Sequence, residues 1–148
     1  MTRSKQKGRI VDQPSFNQDG PQSGYLPQHN VDPDDIPSWR VRWQSSYEAN
    51  EVFYAKPLVY TPPTWHDEGI ITASNQNWLR LTDARDGKLI RSRHLAPPFL
   101  STDARCGDIP GTVGITGTPY IDTNTNIMYF WSKQYKNKAS GGGTTNGK

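Results

Sequence analysis

Nowhere in this chain do ten or more residues carry apolar side chains at the i, i+3, i+4, i+7 spacing of an amphipathic helix. What recurs instead is a short run of β-branched and aromatic residues closed by Gly, Pro, Asn or Asp. Seven such runs fall at 39–45, 52–60, 69–74, 77–83, 88–95, 116–121 and 127–133, and each is predicted to be a strand. The gaps between them carry turn chemistry. SNQN at 74–77 and ARDG at 84–87 are hairpin-length, and in the second Asp86-Gly87 supplies a residue tolerant of positive φ. The stretches 62–67 and DTNTN at 122–126 read as turns for the same reason. The four strands from 52 to 95 are therefore expected to form an antiparallel meander, and after a loop over 96–113 two further strands begin a second unit.

The ends are of a different composition. Residues 1–36 mix Pro, Gly, Asn, Asp and Gln without apolar periodicity and are expected to be an irregular or disordered lead-in, the folded part being 37–135. Residues 136–148 close in ASGGGTTNGK, a flexible Gly/Thr-rich tail. With the 13 glycines counted among the apolar residues the total is about 41% of 148 residues, below the roughly 45–50% of an ordinary globular domain, so the core is thin. One domain at most is expected at this length.

Charge and cysteine usage remove several classes. Of 17 basic residues eight lie in the first nine or the last sixteen positions, at 3, 5, 7, 9, 133, 136, 138 and 148, so the formal net charge of +3 does not sit on the middle of the chain. A nucleic-acid partner is not expected. No apolar run approaches the roughly 18–20 residues of a membrane-spanning helix, so a membrane is not expected either. The basic opening MTRSKQKGRIVDQPSF has no apolar block behind it and does not read as a secretory signal, leaving an intracellular protein or a missing N-terminus. A single cysteine, Cys106, precludes an intrachain disulfide and a multi-cysteine zinc site.

One four-stranded meander followed by the start of another fits a β-propeller, whose blades are four-stranded antiparallel sheets packed face to face, and equally a small sandwich or open barrel. The wording of the strands adds to their spacing. LTDARDGKLIRSRHL at 81–95 resembles the repeat of pyrroloquinoline-quinone-type propellers, with Asp83, Gly87 and Lys88 in the places that repeat gives them. Two positions depart from it: Leu81 stands at the usual small residue, and Arg91 at the usual docking tryptophan. NEVFYAKPLVYTPP at 50–63 and CGDIPGTVGITGTPYIDTNTNIMYFWSKQY at 106–135 resemble the blade-opening motifs of quinoprotein alcohol dehydrogenase-like proteins, closest to secreted fungal members. The resemblance covers roughly residues 30–147. It implies an all-β fold, a partial β-propeller of about one and a half four-stranded antiparallel blades, in an N-terminal piece of a longer ring. It implies secretion too, against the absence of a visible signal, so the compartment stays open. Residues 41–43 are placed to complete a last blade.

No residue of the sequence is expected to be catalytic or to bind a metal. Cys106 beside Arg105 has the neighbour of a reactive thiolate, but no histidine lies near it in sequence and it reads as a loop cysteine. His66, Asp67 and Glu68 are metal-capable, with His29 and His94 the remaining imidazoles, but three neighbours entering a strand point in alternating directions. Asp32, Asp34 and Asp35 lack the glycine and terminal glutamate of a calcium loop and read as a capping or solvated run. Gly114 and Gly117 in GITGTP are expected at tight-packing positions, since no helix follows to make the loop an anion site. Trp39, Trp43, Phe53, Tyr54, Tyr60, Trp78, Tyr120, Tyr129, Phe130 and Trp131 offer a stacking surface for a sugar or quinone, with core packing expected for most of these rings; which face of each strand is buried is left open.

The expected function is a non-catalytic binding or scaffold module. The alternative is a fragment of a quinone-dependent oxidoreductase acting on alcohols or sugars, inactive alone, whose full-length parent would hold pyrroloquinoline quinone and calcium. No cofactor is expected in the isolated chain. Its partners would be the remaining propeller blades, or a second copy through exposed strand edges at 39–45 and 116–133.

Overall fold

A computed structural model of the chain describes residues 14–16, 23, 32–64, 67–105 and 107–136. The fold is mostly antiparallel β with little helix: one four-stranded sheet and two two-stranded ones. Strands β1 (Leu58–Tyr60), β2 (Gly69–Ala73), β3 (Trp78–Asp83) and β4 (Leu89–His94) run in sequence order across the main sheet. This is the meander that the β-branched and aromatic runs and the turn residues between them predict. Asn77 at φ +60° and Gly87 at φ +77° close its second and third turns in the left-handed region, where asparagine and glycine are the tolerated residues. A bulge between Leu81 and Thr82 shifts β4 by one residue before the turn.

The register sorts side chains onto two faces. Leu58, Ile71 and Leu81 are cross-strand neighbours on one face, and Val59, Ile70 and Thr82 on the other. The first face is covered by the hairpin of β7 (Tyr120–Asp122) and β8 (Ile127–Tyr129), whose Ile121 and Met128 pack on Leu58, Tyr60 and Ile71. A second cluster joins Ala55, Ala73 and Ile115 to Leu79, Leu95 and Phe130. Complete removal of a side chain such as Leu58 or Ile115 from water stabilises by about 1.5–3 kcal/mol. The second face is crossed by the chain preceding β1.

Several expectations are corrected. Residues 39–45 are not a strand, because no neighbouring strand offers them a ladder; residues 41–46 make no backbone–backbone hydrogen bond among the described residues. Of 52–60 only β1 is strand, since Val52 N–H is taken by the Asn75 side chain (2.8 Å), Lys56 N–H by Thr118 (2.9 Å), and Pro57 has no N–H to give. The strand expected at 116–121 begins only at Tyr120, after Pro119, and that expected at 127–133 stops at Tyr129, beyond which Lys133 N–H turns to Gly114 (3.2 Å). The loop over 96–113 contains a two-residue pairing, β5 (Phe99–Leu100) with β6 (Thr112–Val113), too short to leave a periodic signal. A 3₁₀ turn over Pro33–Ser38 straddles the boundary expected at 36. Most of the lead-in and the tail beyond Lys136 lie outside the described residues. Among the described residues no helix is long and apolar enough to cross a membrane.

Candidate functional site

The interior is as polar as it is apolar: eight hydrophobic and seven polar or charged residues are buried among those described. Such groups are tolerated only when hydrogen-bonded, and the 74–77 turn organises most of them. Asn75 exchanges backbone and side-chain bonds with Val52 (3.0 and 2.8 Å) and meets Thr112 through that residue's hydroxyl (3.2 Å). Asn77 donates through Nδ2 to the carbonyls of Ala96 and Lys133 (3.0 Å each), and its Oδ1 accepts from Ser132 (2.8 Å). Ile115 N–H reaches the Ser74 carbonyl at 3.1 Å. The second unit is thereby bolted to the second turn of the main sheet, at 74–77. Gly114 fits into this joint because any Cβ there would collide with the Asn75 carbonyl and lie 2.6 Å from Asn77 Oδ1. Gly117, expected to be a packing position as well, has nothing within 4 Å of a Cβ, which corrects that expectation.

The second face of the sheet holds a buried ion pair that no sequence spacing announces. Arg80 and Glu51 meet bidentately, one bond at 2.9 Å, with side chains only 8% and 0% exposed. The guanidinium lies over the rings of Tyr47 (4.6 Å) and Trp78 (4.9 Å), and His94 stacks on Trp78 at 4.5 Å. Nearby, Trp43 donates its indole N–H to the Ala84 carbonyl (3.0 Å) and lays its ring where a Cβ on Gly87 would come within 2.7 Å. A tryptophan is therefore docked on the Asp-turn-Gly of the repeat-like motif, although Arg91 occupies the position expected for one. It comes from the 39–45 segment, upstream. An open cleft of about 420 Å³ beside it is lined by Ser45, Ser46, Tyr47, Arg80, Thr82 and Leu89, among others.

The β7–β8 hairpin settles which aromatics face out. Tyr120 is paired with Tyr129, so the two rings share a face, and Trp131 follows two residues on. All three are exposed, Trp131 to 90%, while Ile121, Met128 and Phe130 face inward. A second open hollow of about 450 Å³ lies among Thr118, Tyr120, Tyr129 and Trp131. On its other edge β7 receives residue 14: Ile121 N–H donates to the Pro14 carbonyl at 2.8 Å.

The metal-capable residues are not gathered. Among the described residues no group of three or more His, Cys, Asp or Glu could hold a metal ion. Asp32 Oδ1 accepts from the Asp34 N–H (3.0 Å) as N-cap of the 3₁₀ turn. Asp67 pairs with Arg85 (2.9 Å), and His94 Nε2 lies 3.1 Å from the Gln76 carbonyl, remote in sequence from it. His29, His66 and Cys106 lie outside the described residues. Two carboxyls are held below the usual range by hydrogen bonds: Asp83 by the Arg85 side chain and backbone N–H, and Asp122 by the Thr125 hydroxyl and then the Asn124 N–H. Both serve turns, at 84–87 and 122–126, and not a cleft.

No protein-family model matches the chain, and no curated protein or solved structure matches it significantly.

Proposed function

We propose that this chain is a non-catalytic binding or scaffold module, a partial β-propeller of the quinoprotein-like type, that works by taking further β-structure onto faces it leaves open. The observation that carries the reading is the two-sidedness of β7–β8. One face of the hairpin covers the main sheet through Ile121 and Met128, and the other presents Tyr120, Tyr129 and the 90%-exposed Trp131. Sheet-on-hairpin stacking that leaves an equivalent face bare is what a radial array of sheets requires. Trp43 supports the same reading, since its segment is anchored to the first unit by the Ala84 bond while residues 41–46 keep their backbone free for a strand. The partners are further blades of such a ring or, where these are missing, a second copy.

The quinone-dependent alternative draws no comparable support. Calcium takes six to eight oxygen ligands, and no acidic or imidazole group of even three members is gathered among the described residues. The side chains described do not fit that ion.

Hydrogen exchange at low and high protein concentration tests the proposal. Amides of 41–46 and of 130 and 131, which no ladder of the described residues holds, are expected to exchange freely when dilute and to gain protection together on concentration. Free exchange of both segments at every concentration, alongside a protected main sheet, would refute it.

A further inference from the structure

β4 is the outer strand of the main sheet, and all six of its residues are exposed. Its bonding phase is fixed by Leu95, whose N–H donates to the Asn77 carbonyl at 3.0 Å one pair beyond Trp78 opposite His94. Alternation along an antiparallel ladder then turns the backbone groups of residues 91, 93 and 95 toward β3 and those of Ser92 and His94 outward. Among the described residues neither Ser92 nor His94 makes a backbone hydrogen bond on that outer side. Arg91 and Arg93 stand opposite Leu81 and Leu79 and so share one face, and neither forms an ion pair among the described residues.

We propose that the β4 edge binds an extended acidic segment by strand addition. The incoming strand would bond to the backbone of Ser92 and His94, and carboxylates two residues apart would meet Arg91 and Arg93. Those two would be non-hydrogen-bonded positions of the new ladder, where opposing Cα atoms come to about 4.5 Å and side chains are closest. Charge selects the occupant. A second β4 edge would set arginine against arginine and is rejected, whereas alternating carboxylates satisfy both guanidiniums. The partner is not this chain: carboxylates two residues apart occur in it only at Asp32 and Asp34, and Pro33 between them sits in the 3₁₀ turn.

This site lies on a different strand from the faces of the preceding proposal and can fail separately from it. The probe is a fluorescein-labelled Thr-Glu-Thr-Glu-Thr peptide titrated with the full chain by fluorescence anisotropy. The acidic peptide is expected to bind and its Thr-Lys-Thr-Lys-Thr counterpart not to. R91E/R93E should weaken the acidic peptide by about tenfold or more, as two lost cross-strand ion pairs imply, and should admit the basic one. Methylation of the alternate peptide nitrogens that meet the ladder should abolish binding to the unmodified protein. No titration by the acidic peptide, an unchanged affinity in R91E/R93E, or equal binding of the N-methylated peptide would each overturn strand addition at β4.

Discussion

Substitution of Glu51 by Gln probes the least solvated electrostatic contact in the molecule. The change keeps the side chain's shape and one carbonyl acceptor but removes the charge opposite Arg80, whose side chain is 8% exposed with its guanidinium over Tyr47 and Trp78. Removing one partner of a buried pair costs about 3–5 kcal/mol, because the other charge is left uncompensated. The retained acceptor and the two ring faces place E51Q near the lower end, about 3 kcal/mol. Against a total stability of about 5–15 kcal/mol that is a large fraction, equivalent to a fall in Tm of about 6–12 °C for a chain of this size. Replacing both partners, as E51L/R80M, leaves no buried charge and should recover most of the loss. Urea unfolding followed by tryptophan fluorescence reads the unmodified chain and both variants, with Trp43 and Trp78 beside the site as reporters. A loss below about 0.5 kcal/mol in E51Q, or a double variant no more stable than E51Q, would show that the 43–53 segment is not held to the sheet by this pair.

Other outcomes follow from single contacts. Gly114→Ala drives a methyl into the Asn75 carbonyl and should cost about 1–3 kcal/mol as overpacking, whereas Gly117→Ala meets nothing within 4 Å and should stay within about 0.5 kcal/mol; thermal melts of the two check this. Trp43→Phe keeps a ring over Gly87 but loses the bond to Ala84, for about 1 kcal/mol, and Trp43→Ala should cost more. Asp83 titrates below its unfolded value of about 3.9 because Arg85 stabilises its charged form. Its contribution is therefore complete above that value and disappears as pH falls through the lower folded pKa. D83N should be less stable at neutral pH and show a shallower loss of stability below about pH 4; an unchanged acid limb would refute the assignment.

The parts of the fold legible in the sequence are those whose partners are close in sequence. Residues 58–94 set β-branched and aromatic runs between turns marked by Asn77 and Gly87, so both strand position and order can be read. Where backbone groups bond to distant side chains the pattern misleads. The 52–57 and 130–133 stretches have the composition of strands, but Val52 bonds to Asn75 and the Lys133 carbonyl accepts from Asn77. Composition reports that a residue suits a pleated surface, and whether a neighbouring strand exists there is a tertiary fact. Arg80 and Glu51 are 29 residues apart in sequence and carry no local signature. Trp43 had one: it lies in a strand-like run, placed to complete a blade, upstream of a repeat whose own tryptophan position holds Arg91. The outward turn of Tyr129 and Trp131 needed the register with β7, which no single strand encodes.

Light scattering coupled to size exclusion, at two concentrations, on the unmodified chain and on Y129S/W131S, tests the open-face account most directly. Mass that rises with concentration for the unmodified chain and falls toward the monomer in Y129S/W131S is the predicted result. A monodisperse monomer at both concentrations, with a sharp and concentration-independent melt, would contradict it and mark these strands as a self-sufficient small β fold.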